Sequence, residues 1–375
     1  MHTNTIFHDL TSLISRHEFD ELQNTYQGPK LRSANRWSQF IALLLNQILG
    51  LNSLRDVCQA MKTKANKMYH LGATPIARST LARVNEQQNY EVFKNLFFKL
   101  YEKMQKVMPH SKFHLKGINE ITLMDATTIK LCLEIFPWAE FRQKKGAIKL
   151  HVGLNDDGLI PTFCDMTTGK KHEINHAKEH DFKPGTMLVF DRGYTDYNWW
   201  DSLDKSGVYY VTRMKSSAVF ELIERRPGPR PKKIQDDWKV RLKGSETLQR
   251  IVFFYDEEEK DEYAFITNAH HLNAKTIADL YKERWQIELF FKWIKQNLKI
   301  KGFLGTSPNA VLSQIWVALC VYLLLAYLKF KSKSELTLRN ILAWIRLNLF
   351  NSENLEDFLI GRTRKPVETK QLCLI

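Results

Sequence analysis

Residues 121–133 read ITLMDATTIKLCL, and this stretch decides the fold because apolar and polar residues alternate along it. A period of two places successive side chains on opposite faces of a β-strand, so the pattern predicts a strand with one face in a core. Asp125 lies in the middle of the strand, on the same face as Leu123 and Thr127. A carboxylate in an apolar strand costs free energy unless it binds something, which makes Asp125 a candidate ligand.

The two stretches that follow extend this strand into a sheet. Residues 146–156 and 159–169 show the same alternation, on either side of the turn Asp156-Asp157-Gly158. Short alternating runs joined by turn residues are typical of hairpins. The three stretches together predict an antiparallel meander.

A fourth strand brings a second acidic residue. Residues 186–190 (TMLVF) are uniformly apolar, and Asp191 and Gly193 follow them. An aspartate at the end of a strand and next to a glycine is a common ligand position in open sheets. Residues 196–207 then predict a helix that stops at a glycine, and residues 208–216 predict a further strand.

A third acidic residue lies on a late helix that has an unusual polar line. Residues 281–295 read YKERWQIELFFKWIK and predict one continuous helix. At about 100° per residue, four side chains fall within an arc of roughly 60°: Tyr281, Arg284, Glu288 and Lys295. Pairing of Arg284 with Glu288 would stabilise the helix by only about 0.2–0.5 kcal/mol. A solvated face also needs no tyrosine, so we interpret this line as functional.

Asp125, Asp191 and Glu288 can act as one set of ligands. Three converging carboxylates can hold two hard divalent cations about 3.5–4 Å apart. One cation of such a pair activates water or a 3′-hydroxyl, and the other stabilises the leaving oxyanion. Oxygen ligands suit Mg²⁺ or Mn²⁺, so the sequence predicts two such ions per active site.

These residues resemble a known family. The order of strand aspartate, strand aspartate and helix glutamate resembles that of RNase H-like DDE nucleotidyltransferases. The pattern Tyr-x2-Arg-x3-Glu-x6-Lys in residues 281–295 looks like the YREK signature of bacterial transposases of the insertion-sequence-four family. LMDAT around Asp125 and FDRGYTDY at 190–197 resemble the two aspartate motifs of that family. The resemblance covers about residues 121–330, with the helical N-terminus also in keeping.

The resemblance implies a fold and an activity. The expected fold is an α/β RNase H-like core, a mixed five-stranded sheet flanked by helices, with an inserted β-subdomain and an all-helical N-terminal DNA-binding domain. The expected activity is cut-and-paste transposition of an insertion sequence, by metal-dependent phosphodiester hydrolysis and strand transfer at terminal inverted repeats. Asp125, Asp191 and Glu288 would be the catalytic metal ligands, with Arg284 and Lys295 on the neighbouring phosphates.

Further DNA contacts are expected around this site. Tyr281 would donate a hydrogen bond to a phosphate, and Arg192 and Tyr194 would add phosphate contacts. The 97 residues from Asp191 to Glu288 exceed what a plain core needs, which fits an insertion at 214–266. In relatives a tryptophan of this insertion stacks on a flipped base, and Trp238 is the only tryptophan there. The alternative is that Trp238 belongs to the core of the insertion.

The N-terminal region and the overall charge favour a nucleic-acid partner. The chain has a net charge of +14 and a pI near 9.4, typical of proteins with polyanionic partners. Residues 36–50 and 53–61 predict helices, and a helix after residue 77 bears Arg83 and Asn85. This outline matches a helix-turn-helix, and we expect Arg83 and Asn85 to contact DNA.

These expectations divide the chain into five segments. They are a helical DNA-binding domain (1–115), the first part of the core (116–213), the β-rich insertion (214–266), the second part of the core with the YREK helix (267–330) and a helical C-terminal region (331–375). The expected partner is double-stranded DNA, both transposon ends and target, bound by a homodimer in a synaptic complex. The cysteine pattern and the lack of a signal peptide predict a cytoplasmic, nucleoid-associated protein. The 14 apolar residues 315–328 are too few for a membrane span and predict a buried helix instead.

Three other functions remain open from the sequence. The first is a metal-dependent nuclease of the same fold without strand transfer. The second is a DNA-binding protein without catalysis, which the presence of all three acids disfavours. The third is a zinc peptidase, because HEINH at 172–176 has the HExxH spacing, with His172 and His176 four residues apart and His151 a further candidate ligand. No third ligand stands out downstream of that motif.

Overall fold

The computed structural model describes residues 4–32, 34–108, 113–142, 145–156, 160–227, 231–352 and 354–359. The chain forms two compact units. Residues 1–108 and 297–375 make the first, which we call the helical unit, and residues 109–296 make the second, which we call the sheet unit.

The helices of the described chain are α1 (Ile6–Ser12), α2 (Arg16–Thr25), α3 (Arg36–Leu49), α4 (Leu54–Thr63), α5 (Ala65–His70), α6 (Arg78–Gln87), α7 (Glu91–Gln105), α8 (Glu173–Ala177), α9 (Tyr197–Lys205), α10 (Ala274–Glu283), α11 (Trp285–Asn297), α12 (Pro308–Lys331), α13 (Leu338–Asn348) and α14 (Leu355–Leu359).

The first predicted helices of the helical unit are confirmed, and their ends have clear causes. The side chain of Asn35 accepts a hydrogen bond from the Ser38 amide at 2.7 Å and starts α3. Gly50 ends this helix with φ of 68°, a conformation that glycine adopts at little cost. The Ser53 hydroxyl caps α4 by accepting from the Asp56 amide at 3.1 Å.

Helix α12 is the core of the helical unit. Its length and composition alone would allow it to cross a membrane, but 89% of its most apolar window is buried inside the protein. It packs against α3, α6, α7 and α13, so the prediction of a buried helix is confirmed. The division of the sequence placed this helix in the catalytic core segment 267–330, and the structure groups it with the N-terminal helices instead. A helix that is apolar on every side needs protein all around it, and these helices provide that surface.

The strands of the described chain are β1 (Glu120–Leu131), β2 (Glu140–Arg142), β3 (Lys145–Asn155), β4 (Pro161–Thr168), β5 (Thr186–Phe190), β6 (Tyr209–Arg213), β7 (Phe220–Arg225), β8 (Ile234–Leu242), β9 (Gln249–Asp256) and β10 (Asp261–Thr267).

The strands form one mixed sheet. Its order is β2-β3-β1-β5-β6-β10-β9-β8-β7, and β4 also pairs with β3. The predicted meander is confirmed, since β1 is antiparallel to β3 and β3 is antiparallel to β4. Strand β5 is parallel to both β1 and β6.

The sheet is larger than the five strands expected from the sequence. Strands β4, β3, β1, β5 and β6 are neighbours in its mixed part, where β2 also pairs with β3. Strand β10, however, is antiparallel to β6 through pairs such as Ile266 with Thr212. Strands β7–β10 therefore extend the same sheet rather than forming a separate one, and ten strands are hydrogen-bonded together.

Helix α9 connects these added strands to the rest of the sheet unit through side-chain contacts. Trp199 and Trp200 of α9 pack on Phe190 and Tyr210, with ring centroids 5.1–6.5 Å apart. Asp201 of the same helix is buried, and it accepts hydrogen bonds from the loop between β8 and β9. The core of the sheet unit is thus shared by the mixed strands, α9 and the added strands.

Candidate active site

Two parallel strands place the first two acidic residues side by side. Met124 of β1 pairs with Phe190 of β5. Asp125 follows Met124 directly, and Asp191 follows Phe190 directly. Corresponding ends of neighbouring parallel strands lie at the same edge, so the two carboxylates meet there.

Each of these carboxylates is oriented by a backbone amide. Asp125 Oδ1 accepts a hydrogen bond from the Ala126 amide, and Asp191 Oδ1 accepts one from the Gly193 amide, both at 2.7 Å. A Cβ on Gly193 would lie 2.8 Å from Asp191 Oδ1, so a larger residue at 193 would displace this carboxylate oxygen from its present position. The glycine that follows the strand end thus serves to hold the carboxylate.

The electrostatics of Asp125 indicate a site that lacks positive charge. The pKa of Asp125 is raised to about 7, mainly by burial and also by the nearby Asp191 and Glu173, against the opposing effects of the Ala126 amide and Arg284. Carboxylates held together in this way disfavour each other's charged form. A bound cation would relieve this repulsion.

The predicted single helix over 281–295 is interrupted at Arg284. Helix α10 ends at Glu283 and α11 begins at Trp285. The amides of Arg284 and Ile287 bond three residues back, to Tyr281 and Arg284, at 3.1 and 3.2 Å. Arg284 and Glu288 remain neighbours despite the tighter turn. Arg284 Nη2 donates a hydrogen bond to Glu288 Oε1 at 2.6 Å.

Arg284 joins this helical segment to the strand-end carboxylates. Burial by itself would lower its pKa, but Tyr281, Glu288 and Asp125 outweigh burial and raise it. Its guanidinium carbon lies 5.7 Å from the ring centroid of Tyr281. Its Nε is buried and has no hydrogen-bond partner among the described residues. A buried donor without a partner is costly, and it is a fitting position for an oxygen of a substrate.

Lys295 reaches the same strand from the far end of α11. Its Nζ donates to Thr127 Oγ1, two residues beyond Asp125 on β1. Arg284 and Lys295 of the polar line thus both act near Asp125 on β1, and Glu288 is hydrogen-bonded to Arg284. The sequence predicted this grouping by helical spacing alone, and the interruption at Arg284 does not disperse it.

A fourth acidic residue acts electrostatically on Asp125, and sequence reasoning missed it. Glu173 begins α8 and acts electrostatically on both Asp125 and Tyr194. Lys149 of β3 pairs with it, with Nζ 3.2 Å from Oε1. Its only signal in the sequence was the HEINH motif, which suggested a role for Glu173 in a zinc peptidase and not a place beside Asp125.

The HEINH motif does not form the zinc-peptidase arrangement in the structure. Helix α8 has only five residues, and His172 lies outside it and is exposed. In the described residues the one cluster whose ligand atoms lie within 4.8 Å of one another contains Asp165, His176 and His180. His151 stacks on His176, with ring centroids 4.0 Å apart.

Two residues expected to contact DNA are buried. Tyr194 is 1% exposed, and burial together with Asp125, Glu173 and Asp191 raises the pKa of its hydroxyl. It therefore lies beneath the carboxylates and cannot contact a phosphate at the surface. Arg192, by contrast, is exposed beside it.

Asn85 is the second of these buried residues. It is 2% exposed, and its Oδ1 accepts a hydrogen bond from Gln39 Nε2 at 2.8 Å. The expectation that Asn85 reads bases is wrong for this structure, because its side chain is already used inside the helical unit. Arg83 on the same helix is exposed and lines a cavity of about 220 Å³ together with Lys30 and Arg32.

Trp238 is engaged by its neighbours in the added strands. Its ring lies 4.5 Å from that of Phe253 and 6.1 Å from that of Phe220, and the Arg225 guanidinium lies 5.6 Å from it. The ring is only half-buried, and its Nε1 is buried without a hydrogen-bond partner among the described residues. These contacts favour the alternative in which Trp238 is a packing residue.

Carboxylates dominate the site, and they fit a divalent cation. Asp125, Asp191, Glu173 and Glu288 supply oxygen atoms, which are the ligands that hard divalent ions prefer. Arg284 lowers the pKa of Asp125, but burial and the neighbouring acids keep it raised to about 7. Bound cations would supply the missing positive charge.

Comparison with known proteins identifies the family of this chain. The family model described as "Transposase DDE domain" matches residues 116–324. A second model, described as a domain of unknown function (DUF4372), matches residues 2–74.

The relatives are named as transposases. The chain is 32% identical to the transposase y4zB of Sinorhizobium fredii over 261 residues, which cover 65% of this chain and 69% of the relative. It is 29% identical to the transposase for insertion sequence element IS5377 of Geobacillus stearothermophilus, covering 68% of each chain. It is 24% identical to the transposase for insertion sequence element IS4SA of Synechocystis sp., covering 82% of this chain and 86% of the relative. More than half of the chain matches the DDE model, and the chain therefore belongs to the DDE transposase family of enzymes that act on DNA.

Proposed function

We propose that this transposase moves an insertion sequence by cut and paste, with hydrolysis and strand transfer at terminal inverted repeats. The observation that carries the proposal is the meeting of Asp125, where β1 leaves its parallel pairing with β5, and Asp191, which follows β5, next to the Tyr281–Arg284–Glu288 group. Such a cluster of acids beside a buried guanidinium suits phosphodiester chemistry, in which negative charge grows on oxygen.

The catalytic core is an RNase H-like fold in this proposal. The strand order β4-β3-β1-β5-β6 supports it, with three antiparallel strands followed by two parallel ones. The spacing of Tyr281, Arg284, Glu288 and Lys295 further favours the insertion-sequence-four group with its YREK signature.

A DDE transposase depends on divalent metal ions, and we assign them to Asp125, Asp191 and Glu288. Two ions of Mg²⁺ or Mn²⁺ per site suit this set of oxygen ligands. When bound, they would activate the attacking oxygen and stabilise the leaving one. Glu173 lies near enough to Asp125 to affect its pKa, so it adds negative charge to the same site.

The basic residues of the site bind and orient the DNA strand. Arg284 uses Nη2 to hold Glu288, which leaves its buried Nε for a phosphate oxygen. Lys295 neutralises a neighbouring phosphate, and it is held beside Asp125 through Thr127. Tyr281 donates a hydrogen bond to a phosphate, and its burial raises the pKa of the hydroxyl, which keeps the proton in place.

Double-stranded DNA binds through basic surfaces in both units. Arg83, Lys30 and Arg32 share one cavity of the helical unit, and Arg192 is exposed beside Asp191 in the sheet unit. The net charge of +14 provides the attraction to the phosphate backbone. We assign sequence reading to the helical unit, with Arg83 in place and Asn85 withdrawn, and a homodimer to the synaptic complex in the cytoplasm, at the nucleoid.

The test uses the full chain with a duplex made from the DNA that flanks its gene. With Mg²⁺, we expect cleavage at the inverted repeats and joining of the released end to a target plasmid. Asp191→Asn should abolish both, and Asp181→Asn, which changes an exposed aspartate of the same unit, should retain both. Cleavage without joining would instead support the second candidate, a nuclease of the same fold.

A further inference from the structure

We propose that Asp165, His176 and His180 form a binding site for one divalent transition-metal ion of the zinc class, separate from the catalytic carboxylates. Their three ligand atoms lie within 4.8 Å of one another. A carboxylate with two imidazoles suits Zn²⁺ and similar ions, whereas Mg²⁺ prefers oxygen ligands.

Two of the three distances between the ligand atoms fit a tetrahedral ion, and the third is within 4.8 Å. Asp165 Oδ2 lies 3.2 Å from His180 Nε2 and 3.6 Å from His176 Nε2. Metal–ligand bonds of about 2.0–2.1 Å at tetrahedral angles separate neighbouring ligand atoms by about 3.3–3.4 Å. The observed separations lie on either side of this value.

Local structure brings the three ligands together from two elements. Asp165 lies on β4, opposite His151 of β3. After α8 the chain continues in one more turn, since the Glu179 amide donates to the His176 carbonyl at 3.0 Å. His176 and His180 are four residues apart across this turn, which places both imidazoles on one side, facing β4.

The surroundings support a site with one open position. His151 stacks on His176 with an interplanar angle of 14°, and its Nε2 contacts Thr167 Oγ1 at 2.8 Å. Phe163 packs on His180 with ring centroids 4.5 Å apart. The side chain of His176 is 8% exposed, while those of Asp165 and His180 are 33% and 25% exposed. Water can therefore supply the fourth ligand from the solvent side.

The site would affect the active site through α8. A metal there would link β4 to the segment that follows this short helix, and Glu173 at its first position influences Asp125. A cross-link of this kind stabilises the folded state, because the ion binds it in preference to the unfolded chain. The ion would thus be a positioning element and would take no part in the reaction.

The rival explanation is a hydrogen-bonded group without metal, in which the two histidines donate to Asp165. Binding of Zn²⁺ alone distinguishes the two. The full chain is titrated with Zn²⁺ by calorimetry in excess Mg²⁺, which occupies the catalytic carboxylates. We expect one Zn²⁺ per chain, and a Co²⁺-loaded protein with the visible absorption of a tetrahedral ion.

Substitutions identify the residues that bind Zn²⁺. Asp165→Asn and His180→Ala should weaken Zn²⁺ binding by more than the roughly 10–100-fold that loss of an outer ligand-supporting contact costs. His172→Ala, in the same segment but exposed and outside the cluster, should bind Zn²⁺ like the unchanged protein, and so should Asp125→Asn. Melting of each variant in chelator shows that it is folded.

Two results would overturn the proposal. One is an unchanged protein that takes up no Zn²⁺ in excess Mg²⁺. The other is uptake that His180→Ala and Asp165→Asn retain while both are folded. Cleavage activity in Mg²⁺ is not the readout, so failure of the proposed transposition would leave this test intact.

Discussion

Two aspartates of the sheet unit, buried Asp201 and partly buried Asp125, have opposite electrostatic surroundings. Asp201 of α9 accepts hydrogen bonds from the Ser245 hydroxyl at 2.6 Å, the Glu246 amide at 2.8 Å and the Thr247 hydroxyl at 2.7 Å. Asp125 of β1 accepts one from the Ala126 amide at 2.7 Å and faces other carboxylates.

The pKa values of the two groups shift in opposite directions. Burial would raise the pKa of Asp201, but its hydrogen bonds to Ser245, Glu246 and Thr247 outweigh burial and lower it. Burial raises the pKa of Asp125 to about 7, and Asp191 adds to the effect. Two carboxylates in the same unit thus differ by the donors that the fold provides for each.

The difference separates a structural acid from the acid that we propose as a metal ligand. The charge of Asp201 is satisfied within the protein, and its bonds hold the loop between β8 and β9. The charge of Asp125 is not satisfied by the protein, which leaves it available to an external cation. Perturbed pKa values of this kind cluster at functional sites because the protein withholds the partners that a ligand will provide.

The largest effect should separate the two acids by catalysis. Asp125→Asn should reduce DNA cleavage by at least about 10²–10³-fold, the loss that follows removal of one group stabilising a transition state. Asp201→Asn should cleave at a near-normal rate per folded molecule, because its side chain contacts only the protein. Strand cleavage measured in a gel assay with Mg²⁺ checks both. Near-normal cleavage by Asp125→Asn would remove Asp125 from the active site.

Replacement of each acid should also change the free energy of unfolding differently. Asp201→Ala leaves buried donors without an acceptor, and it should lower the free energy of unfolding by at least about 1–3 kcal/mol. Asp125→Asn should leave stability unchanged or raise it at pH 8 without metal, since it removes a carboxylate that is repelled by its neighbours. Urea unfolding in chelator measures both.

The pH dependence of stability sharpens this contrast. The folded pKa of Asp125 is raised from 3.8 to about 7, so between these values the folded state binds more protons and loses stability as the pH rises. The lowered pKa of Asp201 has the opposite effect, since stability is present above its unfolded pKa and is lost as the pH falls through the folded one. In chelator, Asp125→Asn should therefore lose less stability than the unchanged protein between pH 5 and pH 8. An equal loss in both would contradict the raised pKa.

A smaller effect should follow from replacing Arg284, the cation that interacts with Asp125. Arg284 lowers the pKa of Asp125, so Arg284→Gln should raise this pKa and move the acidic limb of the pH–cleavage profile upward by roughly one unit. The profile is measured at subsaturating Mg²⁺, where a proton on Asp125 competes with the metal. Lys292→Gln changes an exposed cation of the same helix and should leave the limb in place. A limb unmoved by Arg284→Gln would show that Arg284 does not act on Asp125.

The smallest effect applies the same contrast to α6 of the helical unit. Asn85 is satisfied by Gln39, so Asn85→Ala should cost stability and leave the salt dependence of DNA binding unchanged. Arg83 is exposed, and Arg83→Ala should reduce the slope of log affinity against log salt by about 1. Fluorescence anisotropy over a salt series measures the slope. Equal slopes for Arg83→Ala and the unchanged protein would exclude Arg83 from the DNA interface.

Local patterns in the sequence predicted the elements that carry the site. Period-two alternation identified β1, β3 and β4, and helical spacing grouped Tyr281 with Arg284 and Glu288. These signals depend on neighbours within a few residues, so they need no knowledge of the fold. Helical spacing did not predict the interruption of the helix at Arg284. A single tightened turn needs no special residue type, so it leaves no local signal in the sequence.

Burial of individual polar residues could not be predicted in the same way. Tyr194 and Asn85 were both expected at the DNA surface, and the structure encloses both. Trp238 was left between two roles, and its neighbours Phe253 and Phe220 lie on other strands. A side chain's exposure depends on which distant segments cover it, and a single sequence does not record that.

By itself, the sequence determined that the chain alternates into a sheet, carries one acid within a strand, one at a strand end and one on a late helix, and has the charge to bind DNA. Only the tertiary structure decided that α12 joins the N-terminal helices, that β10 pairs with β6 and that Glu173 lies beside Asp125. It also decided that His176 and His180 form a cluster with Asp165, and that His172 lies outside this cluster. The physical reason is range. Periodicity and capping depend on bonds between near neighbours, whereas sheet order, burial and the sum of charges around a carboxylate depend on segments that meet only in the folded chain.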